Sequence, residues 1–218
     1  MKDCGVNTEI WKDLYAQGKN DLRYPSEVLV RMASRMLNPE THRHILDFGF
    51  GTGANLIHLA RVGFSVSGVE ISNHAIEQTR IRLDKEGLSA ELKLLDPNSL
   101  LPYGDDCFDA VIAWQVLYYN NWETISTAVV ELERVLRSGG MFIGTMAAPG
   151  DISQVLAEPL GDGVYRSRVP GQEGCIVLIP EVEMLQRVFP KEVIETGEFF
   201  YRYGNTTSRH FIVTYQKP

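Results

Sequence analysis

Cysteine is scarce in this chain, and the placement of the few cysteines excludes two structural roles. The 218 residues contain only three of them, Cys4, Cys107 and Cys175, which are far apart in the sequence. They have neither the paired spacing of a zinc site nor the density of a disulfide framework. Isolated cysteines are typical of proteins from a reducing compartment, so we expect a cytoplasmic protein.

Long apolar runs and clusters of basic residues are also missing. Residues 1–5 lack the apolar core of a signal peptide, and no stretch of about 18 apolar residues is present to cross a membrane. The net charge is −7, and no run of Lys and Arg is interleaved with aromatic residues. Because phosphate contacts need clustered positive charge, we expect no nucleic acid as a partner, and because an apolar span is missing we expect no membrane.

What is present is an alternation of short apolar runs with amphipathic segments. The hydrophobic fraction of 44% is ordinary for a globular protein, and the length suits one domain. Alternating strands and helices are typical of an α/β fold with an open, doubly wound, mostly parallel sheet. Strands are predicted at 44–48, 65–70, 90–95, 108–114 and 141–146, and helices within 9–37, at 54–62, from a cap at 72 or 73 to 86, and at 123–136.

The last third of the chain follows a different pattern. Gly139 and Gly140 are expected to end the helix at 123–136, and the Gly- and Pro-rich residues 147–180 are expected to be irregular. A short helix is predicted at 181–189. Apolar and aromatic residues then recur on both sides of a turn-forming segment, which is typical of a β-hairpin. The predicted hairpin strands are 196–203 and 209–216.

The most informative segment is residues 45–55, which read Ile-Leu-Asp-Phe-Gly-Phe-Gly-Thr-Gly-Ala-Asn. Gly49, Gly51 and Gly53 alternate between the end of a predicted strand and the start of a helix. Without β-carbons at alternate positions, the backbone N–H groups of such a turn come close to a ligand. The helix N-terminus adds unpaired donors and a positive dipole. The turn is expected to bind the polar end of a nucleotide-like cofactor, and a tight turn without a ligand is the alternative.

Judged by its residues alone, this turn fits two classes of cofactor. Glu70 ends the second predicted strand and is well placed to accept hydrogen bonds from two ribose hydroxyls. Nicotinamide-binding proteins have a similar acid, and Gly49-x-Gly51-x-x-Ala54 satisfies their looser fingerprint. The glycine motif alone therefore does not choose between a nicotinamide cofactor and another nucleotide-like one.

Four further motifs follow the turn Asp47-x-Gly49-x-Gly51-x-Gly53 along the chain. They are Val69-Glu70-Ile71-Ser72, Leu95-Asp96, Leu-Pro-Tyr-Gly-Asp-Asp-Cys-Phe-Asp-Ala-Val at 101–111, and Leu136-Arg137-Ser138-Gly139-Gly140. In order and spacing they resemble the motifs of the class I S-adenosylmethionine-dependent methyltransferases of the small-molecule type. The resemblance covers roughly residues 43–146. It implies a Rossmann-like, seven-stranded sheet whose last two strands form an antiparallel hairpin, with an N-terminal helical cover.

The resemblance implies roles for residues at the ends of the first two strands. Gly49 and Gly51 would approach the methionyl part of S-adenosylmethionine, and Asp47 would bind its amino end or hold the turn. Glu70 would accept hydrogen bonds from the ribose hydroxyls. Ile71 would pack on the adenine face or belong to the core.

The next two strand ends complete the implied cofactor site. Asp96 would accept from the adenine amino group with Pro97 beside the ring, although Asp before Pro also suits a plain turn. Trp114 and Gln115 would face the methionine moiety and the reacting sulfonium. We interpret Asp105-Asp106 as a solvated loop, and no metal site is predicted.

The acceptor side carries less specific signals. Residues 114–121 lack the Asp/Asn-Pro-Pro-aromatic motif of enzymes that methylate amino groups of nucleic-acid bases. Tyr118 and Tyr119 either line an acceptor pocket or pack against the following helix. His210 lies in the last predicted strand, where a histidine more often has a structural role. No general base is predicted.

The chain is expected to form a single domain, residues 1–218, with four parts. The N-terminal aromatic residues Trp11, Tyr15 and Tyr24 resemble a lid over the cofactor, or form a plain amphipathic face. The predicted parts are a helical lid at 1–40, a cofactor-binding core at 41–146, a variable insertion at 147–190 that sets acceptor choice, and the hairpin at 191–218.

Together these features predict a methyltransferase that transfers a methyl group from S-adenosylmethionine to an O, N or C atom of a small molecule. In such a reaction the protein mainly orients the acceptor and excludes water. A general base is needed only if the acceptor must lose a proton. The alternatives are a non-catalytic S-adenosylmethionine-binding or partner-binding protein, a protein or RNA methyltransferase, and a nicotinamide-dependent oxidoreductase.

Overall fold

A computed structural model describes residues 4–97, 99–190 and 194–218. Residues 1–3 of the predicted lid and 191–193 of the predicted hairpin segment lie outside this part. The helices are α1 (Cys4–Ala16), α2 (Glu27–Met36), α3 (Ala54–Val62), α4 (Asn73–Glu86), α5 (Trp122–Val135) and α6 (Ile152–Val155), with a 3-10 helix at Val182–Arg187. The strands are β1 (His44–Phe48), β2 (Ser65–Glu70), β3 (Glu91–Leu94), β4 (Phe108–Ala113), β5 (Leu136–Ala147), β6 (Ala157–Gly161), β7 (Val164–Ser167), β8 (Ile176–Leu178), β9 (Glu195–Tyr203) and β10 (Thr206–Gln216).

Seven of the strands form one mixed sheet in the order β3-β2-β1-β4-β5-β10-β9. Strands β1 to β5 pair in parallel, whereas β10 runs antiparallel to both β5 and β9. The predicted doubly wound, mostly parallel sheet with a C-terminal hairpin is confirmed. Because strand order reverses between β1 and β4, ligands are expected at the carboxyl ends of these strands.

Apolar side chains cover both faces of this sheet. In β1, Ile45 packs in a cluster with Leu29 of α2 and Leu56 of α3, and Leu46 packs in a second cluster with Ile125 of α5. The central strand β4 is buried along its whole length. Burial on both faces explains why its sequence is an almost unbroken apolar run rather than an alternation.

The predicted glycine stop after α5 is wrong. The helix ends at Val135, and Leu136 is already extended and begins β5 opposite Phe108, so that β5 is longer than the predicted 141–146. The glycines serve a different contact: the Gly139 N–H donates to the Lys217 carbonyl, and the Lys217 N–H donates to the carbonyl of Gly140. Burial of Leu136 and pairing with the C-terminal residues outweigh the local helix-stop signal.

The expectation that residues 147–180 are irregular is also wrong. This segment contains α6 and a separate three-stranded antiparallel sheet in the order β6-β7-β8. Gly161 at the end of β6 has a φ of 100°, and Asp162 and Gly163 in the connection to β7 have φ values of 50° and 75°. Left-handed residues are what a tight hairpin turn requires, so part of the Gly content marks a turn within a sheet. The predicted helix at 181–189 is the shorter 3-10 helix.

Candidate functional site

The glycine turn follows β1 at the point where the strand order of the sheet reverses. Gly49, Gly51 and Gly53 have φ values of 70°, 55° and 82°, a left-handed conformation that a β-carbon disfavours. A β-carbon on Gly49 would lie 2.4 Å from Cγ2 of Val116, and one on Gly51 would lie 2.7 Å from the hydroxyl of Tyr15. The turn therefore has glycine where space and backbone geometry both require it.

Glu70 connects the end of β2 to this turn. Its Oε2 accepts a 2.9 Å hydrogen bond from the Gly51 N–H, and its Oε1 accepts from the N–H groups of Ile71 at 2.8 Å and Ser72 at 3.0 Å. Burial raises the pKa of this carboxyl, and the three backbone hydrogen bonds oppose that rise. Both oxygens are thus held in fixed positions at the carboxyl edge of the sheet.

Asp47 is a second buried acid, close to Glu70. Its side chain is 2% exposed, and its Oδ2 has no hydrogen-bond partner among the described residues. Burial, with a smaller effect of the neighbouring Glu70, raises the pKa of Asp47 to about 7. Buried polar atoms without partners are rare in folded proteins. The unpaired oxygen beside a second carboxylate is suited to a cationic hydrogen-bond donor.

Ile71, Asp96 and Pro97 lie at the same edge of the sheet as Glu70. The Leu95 N–H donates to the Glu70 carbonyl at 2.8 Å, which places the end of β3 next to the end of β2. Ile71 is partly buried, whereas Asp96 and Pro97 are exposed. The structure therefore brings these three predicted residues together, and their roles toward adenine stay predictions.

Trp114 and Gln115 follow β4 and point to different surroundings. The buried Trp114 indole stacks on Phe199 with ring centroids 5.7 Å apart. Gln115 has a φ of 55°, a conformation that costs a non-glycine residue about 1–3 kcal/mol, and its N–H donates to the Thr145 hydroxyl at 2.8 Å. Its side-chain Nε2 lies 3.4 Å from Nε2 of His210. Backbone strain at the end of β4 therefore accompanies a polar contact that reaches β10.

The first helix covers the glycine turn. Trp11 packs edge-on against Tyr119 with centroids 4.7 Å apart, and Tyr15 places its hydroxyl over Gly51. Burial and the nearby Glu70 raise the pKa of Tyr15 well above its usual value, so the phenol is neutral. Tyr24, by contrast, is 86% exposed. Of the three aromatic residues expected in a lid, two pack over the site.

Asn7 connects α1 by hydrogen bonds to the segment after β4 and to β8. Its Nδ2 donates to the carbonyls of Tyr119 at 2.6 Å and Ile176 at 2.8 Å, and its Oδ1 accepts from the Ile176 N–H at 2.7 Å. The side chain thereby joins the cover, the segment after β4 and strand β8. Because Asn7 is buried, water does not replace these bonds.

We expect Asn7→Ala to loosen this cover. The change removes three hydrogen bonds and leaves buried backbone groups unpaired, each at a cost of about 1–3 kcal/mol. Hydrogen exchange of the α1 amides should become faster by about 30-fold or more, while Glu9→Ala on the exposed face of the same helix should leave exchange unchanged. Equal exchange in the two variants would contradict the anchoring role.

A row of aromatic rings leads from the end of β4 through β9 and β10 to α1. Successive centroids lie between 4.5 and 5.8 Å apart. Tyr118 and Tyr119 stand in the middle of the row, and both also pack against the core cluster that contains Ile125 of α5. The two interpretations of these tyrosines therefore do not exclude each other. In order, the row consists of Trp114, Phe199, His210, Tyr118, Tyr119, Trp11 and Tyr15.

Sequence reasoning missed Asn7 and Val116 and gave His210 no part in the site. A signal for His210 was available, because a strand antiparallel to β5 begins beside the carboxyl end of β5. The register places His210 opposite Ala147 at that end. No comparable sequence signal marks Asn7, whose partners are more than 100 residues away along the chain.

The acidic pair before β4 binds cationic side chains. Asp105 accepts from Arg134 at 2.8 Å, and Asp106 accepts from Lys217 at 3.0 Å. Within the described ranges, no three His, Cys, Asp or Glu side chains are grouped so as to hold a metal ion. Every helix there is also too short or too polar to span a bilayer.

Comparison of sequences shows similarity to known methyltransferases. A family model described as a methyltransferase domain matches residues 45–140. An O-methyltransferase of Aspergillus nomiae is 26% identical over 136 residues, which are 62% of this chain and 59% of that protein. A demethylmenaquinone methyltransferase of Tropheryma whipplei is 32% identical over 114 residues, 52% of this chain and 45% of that protein. The chain thus spans about half the length of these curated relatives.

Comparison of structures shows the same fold. The 1,6-didemethyltoxoflavin-N1-methyltransferase of Burkholderia thailandensis, solved with 1,6-didemethyltoxoflavin and S-adenosylhomocysteine, superposes with a TM-score of 0.70. The likeness covers 98% of this chain and 88% of that one at 16% sequence identity. At this identity the superposition supports the fold, including the C-terminal hairpin.

Proposed function

We propose that this chain, whose residues 45–140 match a methyltransferase domain and whose motifs resemble the class I S-adenosylmethionine-dependent methyltransferases, transfers a methyl group from S-adenosylmethionine to a small molecule. The observation that carries the proposal is the buried, unpaired Oδ2 of Asp47 beside the left-handed glycine turn and Glu70. An ammonium group would pair with Asp47, and the ribose hydroxyls would donate to Glu70. A cationic amino acid joined to a nucleoside matches both acids.

The residues that hold the cofactor follow from this arrangement. Gly49 and Gly51 would bring the backbone of the turn to the methionyl part, and Asp47 would bind its amino group. Glu70 binds the ribose. Ile71, Asp96 and Pro97 flank the adenine at the exposed end of the site, and Trp114 and Gln115 mark the end of β4 nearest the sulfonium.

The cofactor supplies a methyl group that is already activated by a positively charged sulfur. The chain itself orients the acceptor and excludes water. The cover formed by Trp11 and Tyr15 excludes water. The insertion at 147–190 is suited to orienting the acceptor, because it contacts the segment after β4: the Leu178 N–H of β8 donates to the Tyr118 carbonyl at 2.7 Å.

We propose that these tasks are divided among four parts of a single domain. The parts are a lid at 1–40, a cofactor-binding core at 41–146, an acceptor-selecting insertion at 147–190 and a hairpin at 191–218. The named activities of the relatives favour a small acceptor methylated on O, N or C. The net charge of −7 disfavours nucleic acid. Free Cys107 and Cys175 support a reducing, cytoplasmic location.

Calorimetric titration tests the cofactor directly. The purified chain at pH 8 is titrated in turn with S-adenosylmethionine, S-adenosylhomocysteine and NADH. We expect saturable binding of the two adenosyl ligands and none of NADH. Binding of NADH alone would overturn the proposal, whereas adenosyl binding without methylation of any acceptor in a broad screen would support a non-catalytic binding protein instead.

A further inference from the structure

His210 is a buried imidazole at the carboxyl edge of the sheet. It is 2% exposed, and β10 places it opposite Ala147 at the end of β5. Its Nε2 lies 3.2 Å from the hydroxyl of Tyr118 and 3.4 Å from Nε2 of Gln115. Two polar groups from the segment after β4 thus converge on one ring nitrogen.

The surroundings favour a neutral ring with Nε2 as the acceptor. With its proton on Nδ1, the ring donates to Oγ of Ser208 at 3.5 Å, and Nε2 accepts from the Tyr118 hydroxyl and the Gln115 amide. Burial lowers the pKa of His210, and the carboxylate of Asp151, in the segment before α6, opposes that effect. From β9, the ring of Phe199 stacks on the imidazole at 5.2 Å.

This group lies close to the proposed methionyl site. Val116, which follows Gln115, packs so closely on Gly49 that a β-carbon there would be 2.4 Å away. The segment that carries Gln115 and Tyr118 is therefore in contact with the glycine turn. His210 contacts the side chains of Gln115 and Tyr118 in that segment.

We propose that Tyr118 and His210 form a proton relay that deprotonates a phenolic hydroxyl of the methyl acceptor. The inference rests on the proposed methyl transfer. The acceptor O–H gives its proton to Oη of Tyr118, and the proton of Tyr118 moves to Nε2 of His210. The acceptor oxygen keeps its electron pair and bonds to the methyl carbon, while the sulfur–carbon bond breaks and its electron pair stays on sulfur. The resulting imidazolium is close to the carboxylate of Asp151.

Two arguments favour a phenol over an aliphatic alcohol as the acceptor. A phenol has a pKa of about 10, as in tyrosine, whereas the pKa of water is about 15.7. A neutral imidazole is too weak a base for a hydroxyl as weakly acidic as water, but a phenol is within its reach. The rings of Trp11, Tyr119 and Tyr118 also pack on one another beside the relay. An aromatic environment of this kind favours a planar acceptor.

The first test uses a coloured phenol and needs no turnover. The complex of the chain with S-adenosylhomocysteine is mixed with 4-nitrophenol, and the ionised fraction of the bound phenol is followed by its visible absorbance from pH 5 to 9. In the wild type, the bound phenol should ionise at a lower pH than in solution. In His210→Asn and Tyr118→Phe the midpoint should rise by about one pH unit or more, a tenfold change in the ionisation constant.

The controls are matched by residue type. His44→Asn changes an exposed histidine at the start of β1, and Tyr103→Phe removes a hydroxyl from a ring that packs on Phe108 before the start of β4. Both lie at the opposite edge of the sheet and should leave the midpoint unchanged. An equal midpoint in the wild type and in His210→Asn would overturn the relay.

The second test is the pH dependence of methyl transfer from labelled S-adenosylmethionine to 4-nitrophenol. At pH 6.5 we expect His210→Asn to lower the rate by up to about tenfold, the loss of ionised phenol that a one-unit rise in its pKa gives, and to recover most of the rate at pH 9. A purely structural histidine would lower the rate equally at both values. Loss of S-adenosylhomocysteine binding in the wild type would refute the proposed function itself, whereas intact binding without uptake of the phenol would overturn this inference alone.

Discussion

Glu70→Gln is expected to weaken the binding of S-adenosylmethionine by about 100-fold or more. A carboxylate offers about four acceptor positions, and three of those on Glu70 accept backbone N–H groups. We expect one ribose hydroxyl to donate to the remaining acceptor position. The other hydroxyl would replace the Gly51 N–H as a donor to Oε2. Hydrogen bonds to a charged group contribute about 1.5–3 kcal/mol each, so losing two of them gives an effect of this size.

The amide that Glu70→Gln introduces would add a repulsive contact to this loss. One end of the side chain would become an NH2 donor facing the N–H of Gly51 or those of Ile71 and Ser72. Calorimetry at pH 8 measures the affinity, and thermal unfolding without ligand shows whether the fold persists. Glu91→Gln is the matched control, since this exposed acid of β3 pairs with Lys93. Unchanged affinity in a folded Glu70→Gln variant would contradict the assigned role.

The parts of this molecule that sequence predicts well are those determined by neighbours along the chain. The left-handed glycine turn and the capping of α4 by Ser72 depend on the conformation of a few consecutive residues. The acid at the end of β2 is recognised from its place directly after an apolar run, although its contact with Gly51 spans 19 residues. Periodicity likewise locates the five parallel strands, because a strand buried on both faces has few polar residues. The order of the motifs then predicts which strand ends meet at one edge.

What escaped prediction depends on contacts between distant segments. Leu136 leaves the helix because it is buried opposite Phe108, although the local glycine signal places the stop later. Asn7 and His210 join the site only through the docking of α1 and the register of β10. No local pattern encodes the partner of a single polar side chain, so these residues are recognised only in the folded structure.

The second large effect is expected at Asp47, and it depends on pH. The folded pKa of about 7 lies above the ordinary value of 3.8, so between these values the folded state holds a proton that the unfolded chain has lost. Stability without ligand should therefore fall as pH rises from about 4 to 7 and then level off. The total fall is about 4 kcal/mol at most, at about 1.4 kcal/mol per pH unit. Asp47→Asn should remove this part of the pH dependence.

Binding of S-adenosylmethionine should show the opposite trend, because the cationic amino group pairs with the ionised form of Asp47. Affinity should rise about tenfold per pH unit toward pH 7, and fall again above about pH 8 as the amino group loses its proton. In Asp47→Asn the rising limb should disappear, and affinity at pH 7.5 should be about 30-fold lower, the loss of one charge-assisted hydrogen bond.

Titration in two buffers of different ionisation enthalpy adds an independent check, since binding at pH 6 should release a proton in the wild type only. Asp84→Asn, at an exposed acid of α4, should behave as the wild type. A rising limb that persists in Asp47→Asn would mean that another group binds the amino end, and that the unpaired oxygen of Asp47 is not the ligand contact.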